Sequence, residues 1–196
     1  MLDEMARLTA ALARSGGTSS DFDLNPGFAP PTQTLRAAAV LVGIMDDTNG
    51  ARVILTKRAS HLKHHPGQIA FPGGKQEAFD LTLEATVLRE AFEEIGLDPA
   101  LVRPIGRLPS HETVTGFEMT PILAAVAHFT PIPDPGEVEE VFTVPLSHLL
   151  NPMRYAVERR LWRGQWRAYY TIPFGPYYIW GATARILRGL AERVTQ

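Results

Sequence analysis

The stretch that decides the fold reads Gly73-Gly74-Lys75 and, further along, Arg89-Glu90-Ala91-Phe92-Glu93-Glu94-Ile95-Gly96-Leu97. Two glycines mark a tight turn. The segment after them has helical spacing, with Glu93 and Glu94 each within about 60° of Glu90 around the axis. Ala85, Leu88, Phe92 and Ile95 form an apolar stripe on the opposite face, which predicts that this face packs on a core. The helix is expected over residues 81–95, with Asp80 as its cap and Gly96 just past its end. Three carboxylates on one face repel and raise one another's pKa. A hard divalent cation would relieve that, since Mg²⁺ takes oxygen ligands and shares them with substrate phosphates. Taken alone, the helix also fits a solvated face of i,i+4 ion pairs.

Working outward, residues 35–45 carry Ala37-Ala38-Ala39-Val40-Leu41-Val42 and read as a buried strand. Arg52 to Lys57 reads as its hairpin partner across Asp46-Asp47-Thr48-Asn49-Gly50, where Asn-Gly is a strong turn signal. Strands are also expected over 101–108, 117–128 and the segment ending at Val144. A hairpin is expected from 155–162 and 165–172 across Arg163-Gly164. Leu2, Met5, Leu8 and Leu12 give residues 2–14 helical spacing, and 178–193 form a last amphipathic helix. Leu146 to Leu150 reads as a short helix. The order predicts an α/β fold, a mixed sheet between helices in an α/β/α sandwich. Residues 1–33 are expected to be an N-terminal helix and linker on or beside a domain spanning 34–196, the segment 15–33 being rich in Gly, Ser and Pro.

Composition narrows the function. The chain has 196 residues, a formal net charge of −2 and no cysteine. Non-specific nucleic-acid binding is not invited, and disulfides, thiolate metal sites and cysteine nucleophiles are excluded. The lack of cysteine fits a reducing, cytoplasmic setting. The first residues lack a basic region followed by an apolar run, so no secretory signal is expected, and no apolar run approaches a membrane span.

The spacing resembles the Nudix box, the signature of hydrolases of nucleoside diphosphates linked to another moiety. The second half of the box matches from Arg89 to Leu97. The first half departs: the sixth residue after Gly74 is Asp80 where the box has Glu, and eight residues separate it from Arg89 where the box has seven. Upstream, Thr56, Arg58, Gly67 and Phe71-Pro72-Gly73-Gly74 are similar to the second signature of the coenzyme A pyrophosphatase branch, with Ile54, Lys57, Ala59 and Lys63 as mild departures. That branch commonly carries the longer box.

The resemblance implies a Nudix α/β/α sandwich and a hydrolase using Mg²⁺ or Mn²⁺. It would cleave coenzyme A and acyl-coenzyme A to 3′,5′-ADP and (acyl-)4′-phosphopantetheine. Glu90 and Glu94 are expected as metal ligands, Glu93 as a third ligand or a base, and Gly74 as a carbonyl donor. Arg89 is expected to hold a neighbouring carboxylate. Glu140 is the chosen further acid among Glu137, Glu139 and Glu140. Arg58, Lys57, Lys75 and Gly73 are the substrate-side candidates, and Arg58 is assigned to the 3′-phosphate of coenzyme A. His61, His64 and His65 are read as solvated and not as a metal cluster. Trp162, Trp166 and Tyr169 suit either adenine stacking or packing. The partner is a small nucleotide-derived molecule, with no nucleic acid or membrane, and a homodimer is left open. The alternatives are another Nudix hydrolase, of NADH, ADP-ribose or an oxidised nucleoside triphosphate, and a non-catalytic ligand sensor.

Overall fold

The run Arg36–Asp47 forms strand β2, buried from Ala38 to Ile44. Such a continuous apolar run belongs in the centre of a sheet covered on both faces. In the computed structural model, which describes residues 2–14, 16–25, 28, 34–48, 50–162 and 164–196, that is where it lies. In chain order the elements are α1 (Leu2–Ala13), β1 (Ser19–Ser20), β2, β3 (Gly50–Arg58), β4 (Ile69–Ala70), β5 (Gly73–Lys75) and α2 (Leu83–Ile95). There follow β6 (Val102–Arg107), β7 (His111–Glu112), β8 (Phe117–Val126), β9 (Val138–Pro145), α3 (Leu146–Leu149), β10 (Ala156–Trp162), β11 (Gln165–Thr171) and α4 (Ala182–Thr195).

The main sheet runs β1-β7-β8-β2-β3-β4, with β5 also on β2, β6 on β8 and β9 on β3. It is mixed: β2 pairs parallel with β8 and antiparallel with β3 and β5. Alternate residues feed two cores. Val40, Val42, Val53, Leu55, Phe142 and Val144 face Leu8 of α1, Leu149 of α3 and Ile186, Leu187 and Leu190 of α4. Ala39, Leu41, Ile54, Ile122 and Ala124 face Val87, Ala91 and Ile95 of α2. This is an α/β/α sandwich, as expected. Strands β10 and β11 make a separate two-stranded sheet.

Three local expectations need correction. Phe92 is 57% exposed, and α2 instead buries Val87, Ala91 and Ile95. Phe92 and Glu94 sit about 200° apart on the helix, so only one can face inward, and it is Glu94. The cap of α2 is Thr82, whose side chain accepts from the Ala85 amide at 3.1 Å, while Asp80 is used elsewhere. Gly96 does end α2, with φ 67° and its amide bonded back to Phe92. The last helix begins at Ala182 and not at 178: Tyr177 and Ile179 bond back to Phe174 and Ile172, and Gly181 adopts φ 65°. In α1, Met5, Leu8 and Ala11 are the buried set. Asn49 and Arg163, the expected turn residues, lie outside the described residues, as do Ser15 and most of 26–33. Ser19 and Ser20 of the 15–33 segment pair in parallel with β7.

Candidate active site

The Gly73-Gly74 turn enters the sheet as β5, with Gly73 opposite Val40 and Gly74 opposite Ala39. Both positions are tight for anything larger than glycine, for different reasons. Gly73 has φ 142°, and a Cβ there would stand 2.3 Å from the Ala39 carbonyl oxygen. At Gly74 the obstacle is a side chain: a Cβ would stand 2.7 Å from Cδ, Oε1 and Oε2 of Glu90. Helix α2 lies against β2 and β5, so its carboxylates press onto this turn.

Glu94 is 5% exposed. The Gly73 amide donates to its Oε2 at 3.0 Å. Burial nevertheless dominates and pushes its carboxyl up to about 8; the charges of Glu90 and Glu137 add to the rise, and the Gly73 hydrogen bond and Arg58 oppose it. Burial likewise raises Glu90, with Glu93 and Glu137 adding and Arg89 opposing. Arg58 acts on Glu94 electrostatically, yet its buried Nε has no hydrogen-bond partner among the described residues. A buried donor without an acceptor costs free energy.

Arg89 gathers the acids from behind. Its Nε and Nη2 donate to Asp80 Oδ1 and Oδ2 at 3.1 and 2.8 Å. Nη1 donates to Glu90 Oε1 and Glu93 Oε2, both at 2.9 Å, and Nη2 also reaches the Lys75 carbonyl at 3.2 Å. The two-pronged bond to Arg89, helped by the Glu77 amide, holds Asp80 at about 2. Asp80, the departure in the first half of the box, is thus the principal partner of Arg89.

The remaining candidates fall in different places. Lys57 pairs with Glu139 at 2.6 Å, and Ser60 bonds the same carboxylate. Lys75 pairs with Glu77 at 3.3 Å. Glu140 shares the face of β9 with Phe142, away from α2, and accepts from Tyr177 Oη at 2.5 Å while Tyr177 stacks on Phe142. The structure therefore separates Glu140 from the box, and Glu137, at the turn before β9, is the acid that acts on Glu90 and Glu94. The sequence brought out Glu137 only as one of three acids; the alternation of β9, which sends Glu140 and Phe142 to one face, is the signal that distinguishes the two positions. His61, His64 and His65 are exposed. Tyr169 packs edge-on against Trp180 at 5.0 Å, and Trp162 and Trp166 sit on the separate hairpin.

Among the described residues no three acidic or histidine side chains already close around one point, and Arg89 holds Glu90 and Glu93. The donor chemistry nonetheless fits a hard cation: two partly or wholly buried carboxylates, raised in pKa and set against a glycine backbone. Binding one would replace the protons that burial favours.

A family model described as the NUDIX domain matches residues 34–163. The chain belongs to the Nudix family. It is 38% identical over 174 residues to the "Uncharacterized Nudix hydrolase NudL" of Enterobacter sp. (strain 638), covering 87% of this chain and 89% of that protein. The protein of the same description from Salmonella paratyphi B is 38% identical over 172 residues, covering 87% and 89%. Among solved structures, the NUDIX domain of Shewanella oneidensis NrtR, complexed with ADP ribose, superposes with a TM-score of 0.53 at 16% identity over 87% of this chain and 92% of that one. A MutT/nudix family protein from Enterococcus faecalis gives 0.52 at 16% identity, covering 86% and 65%. These distant structures establish the Nudix fold, and the NudL relatives make the chain a Nudix hydrolase. Among the described residues no helix is long and apolar enough to cross a membrane.

Proposed function

We propose that this Nudix hydrolase cleaves the pyrophosphate of coenzyme A and its thioesters with Mg²⁺ or Mn²⁺, releasing 3′,5′-ADP and (acyl-)4′-phosphopantetheine. The observation that carries the reading is the pairing of opposite demands in one cleft. Among the described residues, Glu94 is a buried acid with no cation bonded to it, Glu90 is a half-buried acid held only from behind by Arg89, and Arg58, which acts on Glu94, has a buried Nε without a hydrogen-bond partner. A metal-bound pyrophosphate answers both. The resemblance of Thr56 to Gly74 to the coenzyme A signature supports the choice of substrate.

When bound, the cation neutralises the phosphates and lowers the pKa of attacking water. Glu90 and Glu94 would hold it, and the Gly73-Gly74 backbone lets both carboxylates approach the turn. Glu94 keeps its orientation through the Gly73 amide. Arg89 fixes Glu90 and Glu93 from behind, as outer-shell groups do. Glu93, whose side chain is 55% exposed, and Glu137 stand as acids able to orient water. Arg58 next to Glu94 serves the pyrophosphate in place of the 3′-phosphate assigned from sequence. Arg58→Ala should then weaken coenzyme A and dephospho-coenzyme A alike.

Parallel assays of coenzyme A, NADH, ADP-ribose and 8-oxo-dGTP, with product masses, test the substrate. A higher kcat/KM for coenzyme A is expected. Equal efficiency on ADP-ribose would reject the coenzyme A reading and leave a broader Nudix hydrolase.

A further inference from the structure

The β10–β11 hairpin has one edge tied down and one edge without a strand partner among the described residues. On the tied edge, the Ala168 amide donates to Asn25 Oδ1 at 2.8 Å and its carbonyl accepts from Asn25 Nδ2 at 3.0 Å. The Gly181 amide donates to the Tyr170 carbonyl at 3.0 Å. Ala168 and Tyr170 therefore turn their backbone groups away from β10. In an antiparallel ladder the residue opposite an outward-turned residue is itself turned outward. Tyr170 faces Val157, Ala168 faces Arg159 and Trp166 faces Leu161. So Val157, Arg159 and Leu161 present their N–H and C=O groups at the outer edge, where β10 has no second strand among the described residues. Every residue of β10 is exposed. Val157, Leu161 and Trp166, all on one face of the hairpin, are 52%, 56% and 65% exposed.

An open edge with large apolar side chains is a template for another strand. The geometry points to a second copy of this chain as its occupant, the two β10 strands pairing antiparallel about a two-fold axis at Arg159. The backbone parity allows axes at Glu158, Arg159 or Arg160 near the strand centre. An axis at Glu158 opposes two glutamates and sets Val157 against arginine. An axis at Arg160 opposes two arginines and sets Leu161 against Arg159. An axis at Arg159 sets Glu158 opposite Arg160 of the second copy, and Val157 opposite Leu161 of the second copy, each twice.

This register builds continuous rows across four strands. On one face Trp166 and Leu161 continue into Val157 and Tyr170 of the second copy, and the symmetric row repeats it. On the other face Tyr169 and Glu158 continue into Arg160 and Arg167 of the second copy. Within one chain Arg160 lies directly opposite Arg167, a like-charge pair eased by aromatic rings, Arg160 over Trp180 and Arg167 over Phe22 and Phe28; Glu158, whose Oε2 accepts from Tyr178 Oη at 2.7 Å, adds a carboxylate of the second copy beside Arg160. Arg159 meets its own copy at the axis, where two exposed, flexible side chains can splay apart. The interface is isologous, so it closes at two copies.

The chain contains no cysteine, which makes the register directly testable. In a hydrogen-bonded antiparallel pair the Cα atoms stand about 5.5 Å apart, within disulfide range. Arg159→Cys should cross-link to itself under mild oxidation. Val157→Cys should not, because its copy lies four residues out of register, on the order of 13 Å away. Light scattering on the wild-type chain should give twice the chain mass, falling to one on dilution. Glu158→Arg should weaken the dimer roughly tenfold or more, and Glu158→Arg with Arg160→Glu should restore it, with melting curves confirming folded variants. A wild-type mass of one chain at every concentration, equal cross-linking at 157 and 159, or no recovery in the double variant would overturn the proposal.

Discussion

The Glu90 carboxylate lies against the backbone of Gly74, so closely that a Cβ on Gly74 would stand 2.7 Å from both of its oxygens. Gly74→Ala should therefore displace Glu90, the flexible end of a side chain, and lower activity while leaving the melting temperature nearly unchanged. Gly73→Ala should differ. Its Cβ would meet the Ala39 carbonyl oxygen at 2.3 Å from a backbone at φ 142°, so the fold itself should weaken. Thermal melts beside turnover measurements distinguish the two.

Glu94 gives the pH dependence. Without metal its carboxyl sits at about 8, against about 4.3 in an unfolded chain. Between those values the native state holds more protons than the unfolded state, so metal-free stability should fall as pH rises through that window and level off above about 8. Glu94→Gln keeps an oxygen for the Gly73 amide and removes the ionisation. The metal-free variant should melt above wild type at pH 8 and beyond. Its turnover should fall by at least the roughly 10–100-fold that losing even an outer-shell partner costs. A variant that keeps the wild-type slope of stability against pH would contradict the burial of this charge.

Helix orientation is tested by a pair of substitutions. Ile95 is fully buried and Phe92 is 57% exposed. Ile95→Ala should cost about 2–5 kcal/mol, whereas Phe92→Ala should stay within about 0.5 kcal/mol. Denaturant unfolding of both variants measures this. A large loss at Phe92 would restore the orientation expected from sequence.

Those residues also show what the sequence made legible. The sandwich followed from β2, whose unbroken apolar run has one physical meaning, and from the glycine turn before an acidic helix. The rotation of α2 was not legible from its apolar stripe, because Ala85-Leu88-Phe92-Ile95 and Leu83-Val87-Ala91-Ile95 both have helical spacing. What differs is that Glu94 turns inward onto the Gly73 amide, and periodicity treats glutamate as an outside residue. Arg89 was read as a clasp on a neighbouring carboxylate, while its main partner in the structure, Asp80, looked like a cap because short polar residues before helices usually are. Glu140 was chosen over Glu137 without using the alternation fixed by Phe142. The open edge of β10 was visible only as part of a hairpin, since what ties down the opposite edge, at Ala168 and Tyr170 of β11, is Asn25 from a distant part of the chain and Gly181 from the turn before α4.

Asp80→Asn tests the clasp. The two-pronged bond to Arg89 keeps Asp80 at about 2, below the roughly 3.9 of an unfolded chain. Its contribution to stability is present above about 3.9 and is lost as pH falls toward 2. The variant should lose that acid-side dependence. It should also lose about 10–100-fold in activity, because Arg89 would no longer be anchored behind Glu90 and Glu93. Unchanged activity would assign Arg89 a role independent of Asp80.

The most direct measurement is coenzyme A cleavage by protein stripped of metal and then titrated with Mg²⁺ or Mn²⁺. The stripped protein should be inactive. Added cation should restore hydrolysis, with 3′,5′-ADP and 4′-phosphopantetheine appearing in equal amounts by mass analysis. Full cleavage with metal content verified as nil, or no cleavage of coenzyme A at any concentration of either cation, would contradict it.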